Sequence, residues 1–261
     1  MDKIEPVVIK LAETKLDTTG VQKFMEVYKA SDWLQRVRPT QPNDTEFLIE
    51  LSGRACYKSY GVGLNPNVTK IREDSRAYLT NVLEKGDGSI LEHATVTFAF
   101  LNVSRVMTHE LVRHRAGTAI SQESLRYVRP RDISLWLPPD LESVSKEFQN
   151  VVQEIEKQYH ELESKFDWEK MPFEQKKRVT SALRRILPDG IATNVIWTAN
   201  HRTLRWVIEM RTDPSAEVEI RKVFGQVAEI CMQDYPILYS DFSIKQLPDG
   251  TCQYTPKFSK V

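Results

Sequence analysis

Apolar and polar positions alternate most clearly at residues 94–101, Ala-Thr-Val-Thr-Phe-Ala-Phe-Leu, and this period of two predicts a strand with one buried face. A β-branched run over 191–199 reads the same way. Elsewhere the period lengthens. Asp44-Thr45-Glu46 offers a cap for a helix running to about Tyr57, and a second helix is expected from about Val68 to Leu83, before Gly86-Asp87-Gly88. Ser104 is placed to cap a helix carrying Val106, Met107, Leu111 and Val112, with Arg113 and His114 at its close. Phe148, Val151, Val152, Ile155, Tyr159 and Leu162 recur at helical spacing inside the highly charged 140–165, which predicts a long amphipathic helix with one solvated face. Further helices are expected over 173–187, 201–211 and 216–232. Residues 1–43, with Pro39, Pro42 and a turn-like Asn43-Asp44, read as irregular, as does the arginine-rich stretch ending at Pro130. Strands and helices mix along the whole length without a linker or repeat, which predicts one α/β domain with elaborations.

Composition narrows the chemistry. The 261 residues carry 36 Lys and Arg against 36 Asp and Glu, so no global field draws the chain to nucleic acid or an anionic membrane. Any anion must be held by a local cluster. Three cysteines exclude a disulfide scaffold, and the lack of a CxxC pair argues against structural zinc. Met1-Asp2-Lys3-Ile4-Glu5-Pro6 has no secretory pattern, and the weakly polar 94–103 is far short of the roughly 20 residues that span a bilayer. The expectation is a cytoplasmic protein without membrane or nucleic-acid partners.

Several motifs fail. Gly61-x-Gly63 lacks the third glycine of a dinucleotide fingerprint, and there is no phosphate-binding GxxxxGK[ST] loop. His109 and His114 are five apart, about 140° around a helix, so they cannot share a metal, and no metal site is expected. What remains is arginine: Arg113-His114-Arg115, then Arg126, Arg129 and Arg131, then Arg184-Arg185 and Arg211. Its planar fork fits phosphate bidentately. A helix-end cluster with solvated charges reads these residues equally well. In an extended segment Ser124 and Arg126 would face one side and grip one phosphate. His114, flanked by two arginines, is expected to stay neutral.

In order along the chain, these motifs resemble the flavin-dependent thymidylate synthases. Arg113-His114-Arg115 followed by Ser124-Leu125-Arg126-Tyr127 is similar to that family's RHR…S-x-R-Y signature, with eight intervening residues where seven are usual. Gly53-Arg54-Ala55-Cys56-Tyr57, Glu92-His93-Ala94-Thr95-Val96-Thr97-Phe98, Arg184 to Pro188, Trp197 to Leu204, and Arg211 to Arg221 resemble further family segments. The resemblance covers about residues 48–240 and implies a single α/β domain, 44–261, after an N-terminal extension, 1–43. A central sheet would be flanked by helices, one of them the long amphipathic helix. It implies conversion of dUMP to dTMP in a homotetramer, with FAD as cofactor and methylene-tetrahydrofolate and NADPH as co-substrates. It assigns the cofactor to Cys56, His93, Thr95, Arg113, His114, Arg115, Gln122, Asn200 and Arg202. It assigns the nucleotide to Glu110, Ser124, Leu125, Arg126 and Arg184, and places Arg211 against the pyrimidine as the catalytic cation.

Five positions depart from the family pattern: Glu110 for Gln, Cys56 for Ser, His109 for Arg, and Trp206 and Ser215 for Asn and His. Glu110 opens an alternative, a related enzyme acting on UMP. An arginine-rich nucleic-acid-binding module is the rival of another class, opposed by the neutral charge. Asn200 also reads as a helix cap, His93 as a core histidine and Arg184 as a solvated helix end. Trp33, Trp136 and Trp168 read as packing residues and Cys231 as buried and inert, while His160 and His201 have no evident partner.

Overall fold

The computed structural model describes residues 4–40 and 43–259. Met1 to Lys3 and Pro42 lie outside them. The alternating stretch forms strand β2 (Thr95–Ser104), whose Val96, Phe98 and Phe100 are fully buried. It lies between β1 (Val7–Glu13) and β4 (Ala192–Asn200), and β3 (Thr118–Gln122) completes an antiparallel sheet in the order β1-β2-β4-β3. Phe98 stands opposite Trp197, and the two join the core on the inner face. Behind that face pack α4 (Ser75–Lys85), α8 (His201–Thr212) and α9 (Val218–Asp234), through Leu79, Leu204, Val207, Ile208, Val223 and Phe224. On the other face Ile9 and Ile196 remain exposed.

The expected helices form, with corrected ends. Helix α3 (Asp44–Tyr57) is capped by Asn43, whose side chain accepts from Glu46 N at 2.8 Å; Asp44 instead accepts from Leu16 N and Arg38. Helix α4 starts seven residues later than expected, because Asp74 accepts from Arg76 N and Ala77 N. Ser104 caps α5 (Arg105–Leu111) as expected, accepting from Met107 N at 3.0 Å. The long amphipathic helix is α6 (Ser145–Glu163), and α7 (Phe173–Leu183) ends in a 3₁₀ turn over Arg184–Ile186.

Three stretches correct the sequence reading. Of the stretch 1–43, the described residues 4–40 are not irregular: β1 pairs with the free edge of β2, and α1 (Thr18–Val27) and α2 (Ser31–Val37) bury Met25 and Trp33 against Phe47 and Tyr60. The arginine-rich stretch holds β3. After α9, β5 (Phe242–Gln246) and β6 (Cys252–Pro256) form an unanticipated hairpin. Its signal was the Pro248-Asp249-Gly250 turn, where Gly250 has φ +82°. Trp33 and Trp136 are buried, and Trp168 packs under Arg129 at 3.9 Å. Cys231 is fully buried, which pushes its thiol up to about 12. His160 and His201 do have partners: Arg131 O at 2.8 Å from one, the Tyr239 hydroxyl at 3.1 Å from the other.

Candidate active site

The site is assembled where β2 turns into α5. Glu219, buried on α9, accepts from Ser104 N at 2.6 Å and from the Ser104 hydroxyl, which fixes that corner. Beyond α5 the chain turns tightly, with Arg113 N on Glu110 O at 3.3 Å and His114 N on Leu111 O at 3.1 Å. The following loop is strapped to the start of α8. The Thr203 hydroxyl donates to Ala116 O at 2.9 Å, and Asn200 N donates to Gly117 O at 3.1 Å. Gly117 has φ +68°, and a Cβ there would stand 2.3 Å from Asn200 Nδ2, so only glycine fits. Asn200 is also the cap of α8, accepting from Thr203 N at 2.9 Å, so the cap reading of this residue holds.

Arg211, in the last turn of α8, meets this corner with three of its N–H groups. Nε donates to His114 Nε2 at 2.7 Å, Nη1 to Glu110 Oε2 at 2.6 Å, and Nη2 to Glu110 O at 3.1 Å. His114 is buried, and its pKa is lowered to about 4 by that burial first and then by the Arg211 charge. The expected neutrality holds, but its causes are burial and Arg211, not the flanking arginines. Trp206 is 47 % exposed and stands edge-on to the His114 ring, 4.9 Å between centroids.

Beside this cluster a cavity of about 260 Å³ is lined by Glu92, Ala116, Gly117, Asn200, Arg202 and Trp206, among others. Arg202 donates to Glu92 at 2.6 Å, with both side chains roughly half exposed. His93, Thr95, Arg113 and Arg115 are exposed, so His93 is not a core histidine. Gln122 donates to the Thr108 hydroxyl at 3.2 Å. Cys56 lies in the last turn of α3, its thiol on Ser52 O at 3.5 Å, and takes no part in these contacts.

The Ser124–Arg126 segment is a turn, not the extended piece expected. The Ser124 side chain accepts from Arg126 N at 3.3 Å, and Ser124 O accepts from Tyr127 N at 3.0 Å. A serine hydroxyl that satisfies a nearby backbone N–H competes with strand pairing. Leu125 packs against Ile133 and Ile191, and the Arg126 guanidinium is exposed, 5.9 Å from the Tyr127 ring. Arg184 is exposed at the end of α7. Arg105, which sequence reasoning missed, opens α5. It donates to Glu123 O at 2.9 Å while its Nε is buried without a partner, and burial together with the nearby Arg184 lowers its pKa. A buried guanidinium N–H without a partner, under the charge of Arg184, is a feature the fold creates and the sequence does not show.

The model of the family described as thymidylate synthase complementing protein matches residues 39–237. A flavin-dependent thymidylate synthase of Corynebacterium diphtheriae is 33 % identical over 222 residues, covering 82 % of this chain and 86 % of that one. Its counterpart from Mycobacterium tuberculosis is 34 % identical over 212 residues, covering 78 % and 82 %. The chain belongs to the flavin-dependent thymidylate synthase family. It is therefore an enzyme, and the motif order that suggested the family on sequence is matched by the extent of the similarity. Among the described residues no group of side chains is arranged to hold a metal ion, and no helix is long and apolar enough to cross a membrane.

Proposed function

We propose that the enzyme converts dUMP to dTMP, with methylene-tetrahydrofolate as carbon donor, FAD as cofactor and NADPH as reductant. The observation that carries this reading is Arg211. Three of its five N–H groups are held by the protein, which leaves one on each Nη for a ligand. Uracil becomes more anionic as hydride or a carbon electrophile reaches it, and a fixed guanidinium beside O2 and N3 stabilises that charge where it develops. Arg126, Ser124 and the Leu125 backbone would hold the nucleotide phosphate, with Arg184 and Arg105 adding charge.

The cavity beside Arg211 fits part of a flavin. Asn200, Arg202 and the Gly117 cradle line it, and Arg113, His114 and Arg115 lie on the preceding turn, with His93, Thr95, Cys56 and Gln122 as the more distant assignments. When bound, FAD supplies the hydride chemistry. The Arg202–Glu92 pair is exposed enough that exchanging it for an anionic ligand costs little. At about 260 Å³ the cavity is at the small end of typical small-molecule pockets, ~300–1,000 Å³, which fits a site completed by a second chain. This, with the exposed Ile9 and Ile196 on the sheet, supports a homotetramer with shared sites. Residues 44–261 are the catalytic unit and 1–43 an extension whose strand completes the sheet. We place the enzyme in the cytoplasm, acting on small molecules without nucleic acid or membrane. Glu110 spends its Oε2 on Arg211, which weakens the case for UMP.

The purified protein is expected to be yellow, to carry FAD, and to form dTMP from dUMP, methylene-tetrahydrofolate and NADPH. Tritium release from C5-labelled dUMP should exceed that from UMP by a wide margin. A colourless protein that takes up no added FAD would refute the reading. Preference for UMP would establish the related enzyme instead. Oligonucleotide binding with a steep salt dependence and no flavin would establish the nucleic-acid module.

A further inference from the structure

We propose that the cleft between the end of α3, the loop over 58–74 and α4 is a second anion site, separate from the candidate active site, and that its ligand is a phosphomonoester carried on a small molecule.

The cleft encloses about 260 Å³ and shares no lining residue with the cavity beside Arg211. Its back wall is Arg54, 1 % exposed, whose Nε donates to Glu50 at 2.7 Å, so this charge is already matched. The two Nη groups of Arg54 donate to Ser59 O at 2.9 Å and to Arg72 O at 2.5 Å, which pins both ends of the loop to α3. Asn65 pins the middle, donating from Nδ2 to Tyr57 O at 2.8 Å and accepting from Asn67 N at 3.0 Å. The loop is thereby a fixed wall.

What the wall presents is positive charge. Lys70, Arg72 and Lys85 line the cleft, are exposed, and form no ion pair among the described residues. One acid in the lining, Asp87, faces them. The neighbouring acids are engaged elsewhere: Glu73 lies 3.8 Å from Arg36, and Asp74 accepts from the first N–H groups of α4. The backbone N–H groups of residues 69–72 also lack a partner among the described residues, since this stretch runs in neither helix nor strand. Exposed lysines alone read as a solvated face. Here a guanidinium fork, two ammonium groups and four spare backbone donors belong to residues lining one concavity, in a chain whose charges balance overall. A concavity of that sign focuses the field on a small anion.

The donor set selects the anion. A guanidinium fork takes two oxygens of a phosphate, an ammonium group adds a point charge, and spare backbone N–H groups are recurrent phosphate ligands. Three cations against Asp87 leave two positive charges, which match a phosphomonoester and exceed what a phosphodiester or a single carboxylate carries. The volume, at the small end of the ~300–1,000 Å³ range, suits a phosphate with its sugar and not a whole dinucleotide. Two sources carry that group: the 2′-phosphate of NADPH, which arginine accommodates in other dinucleotide sites, and a free phosphorylated metabolite.

The test uses the full chain loaded with FAD and dUMP, so that the nucleotide and flavin sites are filled. Inorganic phosphate and adenosine 2′-monophosphate, titrated by calorimetry, should both bind, and adenosine should not. Arg72→Ala should weaken both by about 10-fold or more, as for a lost charge-assisted hydrogen bond. Lys70→Ala and Lys85→Ala should each cost about 2- to 5-fold, the effect of an exposed charge. Melting temperatures should not move, because these side chains are exposed and the Arg72 carbonyl that Arg54 uses remains. Arg126→Ala, at the nucleotide phosphate, should leave both affinities unchanged.

Turnover then separates the sources, and this arm alone rests on the functional reading above. A rise of about 10-fold in the NADPH KM of Arg72→Ala, with kcat and the NADH KM unmoved, identifies the 2′-phosphate of NADPH. Unmoved KM values with the phosphate affinity lost identify a free phosphate ester. Neither probe bound by the wild type, or affinities reduced by Arg126→Ala and untouched by Arg72→Ala, would overturn the site. If the wild type made no dTMP, the functional reading would fall, and the titrations would still decide the site.

Discussion

Two of the three arginines on helix α8, six residues apart, have side chains that do opposite work. Arg205 is 3 % exposed and donates from Nη1 to Leu238 O and Asp241, and from Nη2 to Asp241 and to Phe258 O. Every Nη hydrogen is used, and the side chain ties α8 to the hairpin and the chain's end. Arg211, whose side chain is 18 % exposed, is held by three acceptors but keeps one hydrogen on each Nη. Both are arginines in a helical run, and both make a close carboxylate pair. What separates a strut from a site is where the spare donors lie: Arg205 has only a buried Nε without a partner, whereas Arg211 keeps hydrogens on both Nη atoms of a partly exposed side chain.

The largest effect that would break this comparison falls on stability. Arg205→Ala leaves Asp241 buried without its cation, and breaking such a pair costs about 3–5 kcal/mol. Urea denaturation of the purified variant is expected to show that loss, or the protein will fail to accumulate folded. A midpoint like that of the wild type would mean that Arg205 is no strut.

A smaller effect concerns the two histidines next to these arginines. His114 contacts Arg211 and titrates at about 4, and His201, buried on α8, is lowered to about 3 by its burial. The unfolded chain binds those protons below about 6.5, so between that value and the folded ones it binds more protons than the native state. Stability is therefore full above pH 6.5 and falls as the pH drops. At pH 5 each histidine should cost about 2 kcal/mol relative to pH 8. Urea midpoints across that range should decline, and less so in His201→Gln. A flat profile would contradict neutral, buried imidazoles.

Much of the frame around these residues was legible in the sequence. The alternation over 94–101, the Ser104 cap and the helical spacing of 148–162 are local signals, and each formed the element it predicts. Strand β1 was not legible, because an edge strand is decided by a distant partner and Val7, Ile9 and Leu11 face outward. The Ser124–Arg126 turn was misread because its serine bonds its own backbone. At the site, Arg211 and His114 were singled out among the charged residues and given roles by a resemblance, but their contact spans 97 residues of sequence. Arg105 carried no sequence signal, since its buried, unpartnered Nε and the influence of Arg184 arise only on folding.

The most direct test of the central claim is turnover by Arg211→Ala with its flavin content measured alongside. The claim that Arg211 is a poised cation predicts a fall in kcat of about 10²–10³, the loss seen when one fixed donor is removed from a comparable anion-stabilising site. FAD should remain bound and the melting temperature should move little, because Glu110 is open enough to water to hydrate once unpaired. Activity within a few-fold of the wild type, with full flavin occupancy, would contradict it.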